Sequence, residues 1–303
     1  MCETGEVASP ETEVELQLRQ LIFDRLADIV ADKGVVTRAE LESFDAGGVR
    51  RRLIDRNRGI WNPRDLQATL SVLSSPQGPY EDSHIGDSLY AYDYRAGRID
   101  GDNRKLRRAY ELGLPIIMLR KIRDAVFVPV FPVYVVADDG PNRKFILALD
   151  ESLRFVSDPL HLTPDEREYA QRVTRQRLHQ PEFRGKVLQA YETRCSVCSL
   201  RHGKLLDAAH IIGDTKPHGL PIVKNGLSLC KIHHAAFDAN LLGVDPDYVV
   251  HINGELMHEV DGPMLRYGLQ EMDGKRLSLP PKKAERPSQD LLKERFTEFL
   301  NAG

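Results

Sequence analysis

Apolar positions fall into distinct regimes along the chain. Leu18, Leu21, Ile22, Leu26, Ile29 and Val30 recur at helical intervals behind Thr12 and Glu15, which have capping-box spacing; this predicts a helix of roughly 18 residues ending near Gly34. Thr37 and Glu40 repeat the capping spacing and predict a short second helix that stops at Gly47 and Gly48. From there to about Asp150 the pattern is that of strands, at residues 70–72, 89–94, 115–119, 125–137 and 145–149, interrupted by one helix at 103–112. Pro129 and Pro132 inside the longest run predict a bent edge strand or a bulge. Such spacing suits a small curved sheet or barrel, not alternating βαβ units.

Residues 157–164 read as a linker, and Thr163-Pro164-Asp165-Glu166 is a helix start. Helices are predicted near 164–178 and 181–191, a strand at 248–252 and an extended Pro- and Lys-rich stretch at 278–288. A last amphipathic helix carries Leu291, Leu292, Phe296, Phe299 and Leu300 on one side. The expected division is an acidic disordered tail over 1–16, a first domain over 17–155, a helical linker over 156–180 and a second domain over 181–303.

Composition sharpens this only in places. The 303 residues are 41% hydrophobic and 29% charged, as in a globular protein, with no apolar run long enough for a membrane span and no signal-like N-terminus. A cytoplasmic location without membrane association is expected. The net charge of −3 does not advertise a nucleic-acid binder, but it is set by the five acidic residues before Leu16, and the rest of the chain is slightly basic. Basic clusters occur at 50–52, 104–108, 120–123 and 172–177, and each reads equally well as a solvated face.

The candidate chemistry lies in residues 193–238. Cys195-x-x-Cys198 and Cys230-x-x-His233 are two paired-ligand knuckles with the spacing of a tetrahedral structural zinc site. The segment has few large apolar residues, so zinc is expected to hold it together. Asp207-Ala-Ala-His210 reads as a strand ending in a histidine, Asn225-Gly226 as a hairpin turn, and 227–230 as a returning strand or the entry to a helix. On that helix His234 and Asp238 are four apart and share a face, so two imidazoles and a carboxylate converge on one cleft.

This stretch resembles the HNH, or ββα-metal, endonucleases, with His210, Asn225 and His234 as the motif residues. The resemblance implies His210 as general base toward water, Asn225 orienting that histidine or its loop, and His234 holding a single divalent ion such as Mg²⁺ or Mn²⁺. Many members carry a further ligand just before the first histidine, where this chain has Ala209. Asp238 or Asp207 then completes the site, with Asp238 better placed one helical turn from His234 and Asp207 expected to point to the opposite face of its strand.

The run from Gly78 to Gly86, with Tyr80, Asp82 and Ser83, and the run from Leu89 to Arg95, with Tyr92, resemble the SRA (SET- and RING-associated) domain. That is a PUA-like curved barrel that reads modified cytosine by flipping it. GIWNP at 59–63, LRRA at 106–109 and FPVYVVADD at 131–139 are similar to the bacterial SRA–HNH restriction enzymes of the TagI-like type. The implied fold class is α+β: an N-terminal SRA-like curved β-barrel with flanking helices, linked by helices to a C-terminal zinc-stabilised ββα-metal HNH domain. The implied pocket has Tyr80 and Tyr92 stacking on the base and Asp82, or Ser83 one place on, meeting the amino group. Flipping costs a few kcal/mol, and each stacked aromatic returns about 1–3 kcal/mol. The implied function is modification-dependent restriction of double-stranded DNA carrying 5-methylcytosine or 5-hydroxymethylcytosine, by a homodimer. Two alternatives stay open: an HNH endonuclease reading unmodified sequence, and a non-catalytic zinc-dependent DNA reader.

Overall fold

A computed structural model describes residues 9–56, 58–75, 89–94 and 101–302. The chain divides into two compact units, one formed by residues up to 30 and 35–179, the other by 31–34 and 180–303.

Unit 1 contains α1 (Pro10–Lys33), β1 (Val36–Thr37), α2 (Arg38–Glu42), β2 (Phe44–Ala46), β3 (Val49–Arg51), β4 (Ile60–Trp61), β5 (Ser71–Ser74), β6 (Tyr90–Asp93), α3 (Asn103–Glu111), β7 (Ile116–Arg123), β8 (Val126–Asp139), β9 (Lys144–Ala148) and α4 (Pro164–Thr174). Among the described residues, seven strands form one curled sheet in the order β4-β5-β7-β8-β9-β6, with β1 paired to β8; β5 and β7 are parallel and the other pairs antiparallel.

The apolar run in β7 explains how this sheet is covered. Ile116 and Met118 join a core with α3 and α4, while Ile117 and Leu119 join a second core with Ile22, Phe23 and Leu26 of α1. Alternate residues of one strand thus feed opposite faces, which is why the run is continuously apolar. β8 is a central strand, not the expected edge: β7 takes its first half, β9 takes its second, and the register shifts between the Ile116 and Met118 pairings. That shift accommodates Pro132 as the predicted bulge, so proline is tolerated in a central position.

The two ends of the sheet are joined by side chains. Tyr92 on β6 donates its hydroxyl to the Gly59 carbonyl (3.1 Å), next to β4, and the Tyr90 hydroxyl lies 2.8 Å from Ser74 Oγ on β5. Arg120 of β7, buried, donates to Ser74 Oγ at 2.8 Å. Phenol hydroxyls inside an apolar interior need such partners.

Three expectations are corrected. Residues 10–16 are the first turns of α1, not a disordered tail. Glu15 is buried because it is the counter-ion of fully buried Arg19, at 2.5 Å, whose remaining donors reach the Thr69, Pro115 and Ala68 carbonyls. The second helix has the Thr37–Glu40 capping box but ends at Glu42; Gly47 and Gly48, both at positive φ, form the two-residue turn of a β2–β3 hairpin. The stretch 156–180, expected as a helical linker, belongs to unit 1 as far as residue 179, since Ala170, Val173 and Leu178 pack into its core.

Unit 2 contains α5 (Gln180–Ala190), β10 (Leu206–His210), β11 (Gly226–Cys230), α6 (Lys231–Asp238), β12 (Leu242–Val244), β13 (Val250–Ile252), α7 (Gly254–His258), α8 (Pro263–Gly268) and α9 (Gln289–Ala302). β10 and β11 pair antiparallel, with His210 opposite Gly226 and Leu206 opposite Cys230, and α6 follows without a break. Phe183, Val187, Leu206, Leu227, Leu229, Phe237, Leu242 and Leu292 are among the residues of its core. α9 turns Leu292 and Phe299 inward, whereas Leu300 stays exposed. No helix among the described residues is long and apolar enough to cross a membrane.

Candidate active site and zinc centre

The cysteine knuckles come together at the base of the β10–β11 hairpin. The ligand atoms of Cys195, Cys198, Cys230 and His233 all lie within 4.8 Å of one another, the only such cluster among the described residues. His233 Nε2 sits 2.7 Å from the Gly268 carbonyl at the end of α8, so that nitrogen carries the proton. Nδ1 is left with its lone pair toward the sulfurs, 3.1 Å from Cys230 Sγ and 3.5 Å from Cys195 Sγ. A backbone carbonyl that fixes the tautomer of a ligating histidine is the usual support of a zinc site, and three thiols with one such imidazole suit zinc.

His210 closes β10. Its ring stacks on Phe183 of α5 with centroids 3.9 Å apart and planes 14° from parallel. Nε2 is buried and has no hydrogen-bond partner among the described residues. Burial lowers the His210 pKa and keeps the ring neutral, while Asp214 and Asp238 pull the other way.

Asn225 does not form a hairpin turn. It ends a short 3-10 turn, and β10 and β11 are joined by the long connection 211–225. Its side chain is fully buried: Oδ1 accepts from the Ile212 amide at 2.9 Å, and Nδ2 donates to the Ile212 and Leu220 carbonyls at 2.9 and 3.1 Å. It therefore folds the loop that follows His210.

His234 on α6 has a carboxylate at each ring nitrogen. Nδ1 is 3.5 Å from Asp207 Oδ2 and Nε2 is 3.3 Å from Asp238 Oδ2. Asp207 thus meets His234 despite the strand position that was expected to turn it away. It also lies 2.5 Å from Lys231 Nζ and 3.9 Å from Arg184 Nε. His234 beside it, together with Lys231, holds the Asp207 carboxyl at about 2, and Asp207 in turn raises the pKa of His234. Asp238 is the more open carboxylate.

Of the residues singled out from the sequence, the structure gathers the four zinc-type ligands in one cluster and Asp207, His234 and Asp238 in another. Ala209, where many HNH proteins have a ligand, is fully buried in the unit 2 core. Tyr92 lies inside the unit 1 core. Tyr80, Asp82 and Ser83 lie outside the described residues. Lys231 and Phe183 were missed. Lys231 had a signal, since 231, 234 and 238 share a helix face; Phe183 had none, being far from the motif in sequence.

Residues 195–245 match the family model described as HNH endonuclease. No curated protein matches the chain. Among solved structures, the chain is similar to the modification-dependent TagI restriction endonuclease, at 17% identity over 86% of this chain and 90% of that one, with a TM-score of 0.32. It is also similar to the type IV phosphorothioation-dependent restriction endonuclease ScoMcrA, at 16% identity over 60% of this chain and 48% of that one, with a TM-score of 0.22. The chain carries an HNH endonuclease domain, spanning residues 195–245.

Proposed function

We propose that the chain is a modification-dependent restriction endonuclease that hydrolyses a DNA phosphodiester with the β10–β11–α6 unit, guided by a unit 1 that flips 5-methylcytosine or 5-hydroxymethylcytosine. The observation that carries the hydrolytic part is the arrangement of His210 at the end of β10 and His234 with Asp238 on α6, within the segment that matches the HNH model. The base-reading part rests on the SRA resemblance of residues 78–95, with Tyr80 and Tyr92 as the stacking pair and Asp82 or Ser83 meeting the cytosine amino group.

His210 is the general base. An imidazole kept neutral by burial is in its proton-accepting form near pH 7, and with Nε2 buried, Nδ1 is the nitrogen available to an attacking water. His234 Nε2 and Asp238 hold the divalent ion, which when bound stabilises charge on the scissile phosphate and the departing 3′ oxygen. Asp207 accepts from Nδ1–H of His234 and so sets its tautomer, as carboxylates behind metal-binding histidines do. Lys231, already close to Asp207, neutralises that carboxylate and makes it a poorer ligand than Asp238. Asn225 holds the loop after His210. Cys195, Cys198, Cys230 and His233 hold zinc as structural support. One centre cuts one strand, so a double-strand break calls for a homodimer.

Digesting matched plasmids that carry cytosine, 5-methylcytosine, 5-hydroxymethylcytosine or its glucosylated form, with wild type and His210→Ala, tests the whole reading. Wild type should cut modified plasmids preferentially, and His210→Ala should bind them with the same preference but not cut. Equal cutting of all plasmids would mean that ordinary sequence is read. Undiminished cutting by His210→Ala would remove the nuclease assignment.

A further inference from the structure

We infer that Phe183, which lies outside the matched segment, is a positioning residue for His210: its ring is the platform that fixes the plane of the general base. The inference rests on the role of His210 proposed above. The torsion that turns an imidazole about its Cβ–Cγ bond has broad minima, so a histidine holds one plane only when something outside it imposes that plane. A hydrogen bond from the second ring nitrogen is the usual restraint on a catalytic base. Here Nε2 is buried and finds no such partner among the described residues. What the ring has instead is Phe183, with 3.9 Å between centroids and 14° between planes. This is closer than the separation of roughly 4.5–7 Å usual for aromatic pairs, and rotating the imidazole out of that plane drives its edge into the phenyl face.

The surrounding sequence accommodates the stack. Phe183 is 2% exposed on α5, one turn before fully buried Val187. The residue across the ladder from His210 is Gly226. A Cβ there would stand 2.5 Å from Val187 Cγ2 and 3.0 and 3.1 Å from Phe183 Cζ and Cε2, so any side chain at 226 would push the platform away from its place. The glycine after Asn225 therefore leaves room for an aromatic ring behind the strand pair, and α5 belongs to the working site although it precedes the first zinc ligand.

The experiment compares wild type with Phe183→Leu and Phe183→Met in the zinc-loaded full-length protein, both substitutions keeping apolar volume while removing the π face. Single-site DNA cleavage is followed at saturating Mg²⁺ and Mn²⁺, together with zinc content, melting temperature and the ¹H NMR signals of the His210 ring, assigned by their loss in His210→Gln. In wild type the His210 ring protons should be shifted upfield by the phenyl ring current, and in both variants they should return to ordinary positions. The turnover number should fall by about 10- to 100-fold, the scale of a misplaced reacting group, with KM and zinc content unchanged. His210 signals at ordinary positions in wild type would overturn the inference even if both variants failed to fold. So would a wild-type turnover number in either folded variant. If His210→Ala itself cleaves normally, the base assignment fails instead, and the two failures are distinguishable.

Discussion

His234 meets a carboxylate at each ring nitrogen, and one ion can use only one of those nitrogens. The Nδ1 side holds Asp207, which is already engaged by Lys231 at 2.5 Å, while the Nε2 side holds Asp238, which is open. His234 and Asp238 both act on the titration of His210. Asp238→Ala should therefore weaken Mn²⁺ binding, read by titration calorimetry of zinc-loaded protein, by more than 100-fold, beyond what a supporting group contributes. Asp207→Asn should weaken it by about 10- to 100-fold, the range for a carboxylate that orients a ligating histidine. A larger loss for Asp207→Asn than for Asp238→Ala would exchange their roles.

The β10–β11 pair is joined not by a tight turn but by a fifteen-residue excursion folded around one buried amide. Asn225→Asp tests this because it keeps the shape, keeps the acceptor toward the Ile212 amide, and turns the nitrogen that donates two hydrogen bonds into one oxygen facing two carbonyls. Each buried group left unpaired costs about 1–3 kcal/mol, and the added carboxylate charge costs more. The expected outcome is faster amide exchange and proteolysis within 211–222 and a lower turnover number, with zinc content unchanged; exchange in that loop identical to wild type would refute the clamp. The same element shows what the sequence revealed. Asn225-Gly226 looked like a turn because those residues supply positive φ in short hairpins, but here the amide is used for its three hydrogen bonds and the glycine for the volume it leaves to Phe183 and Val187. Capping boxes at Thr37 and Thr163, strands β5 to β9 of unit 1 and the Cys–His knuckles were legible because their signals are local spacings, whereas the short strands β1 to β4 carried no such signal. The Glu15–Arg19 pair, the Phe183 platform and the tyrosine bridges across the sheet ends were not, because each depends on residues brought together only by the fold.

At the scale of the molecule, the proposed zinc ion sits in a unit with a sizeable apolar core of its own. Phe183, Val187, Leu206, Leu227, Leu229 and Phe237 pack around Cys195 and Cys230, so the cysteines are part of that core and not a staple outside it. Structural zinc is worth about 10–16 kcal/mol, while the net stability of a folded domain is about 5–15 kcal/mol. The first range matches or exceeds the second, so the apolar core should not hold unit 2 together once the ion is gone. Unit 1 has apolar cores of its own and no zinc-type cluster among its described residues. The single tryptophan, Trp61, lies in unit 1, with its indole N–H donated to the Arg52 carbonyl at 2.8 Å. Stripping zinc with a strong chelator should thus remove a large part of the far-ultraviolet circular dichroism and make Cys195 and Cys230 reactive to thiol reagents, while the Trp61 emission stays at its native wavelength. A shift of that emission in step with zinc loss would show that the two units unfold together. Unchanged dichroism after complete zinc removal would show that the apolar core suffices and that the ion only orders the end of the hairpin.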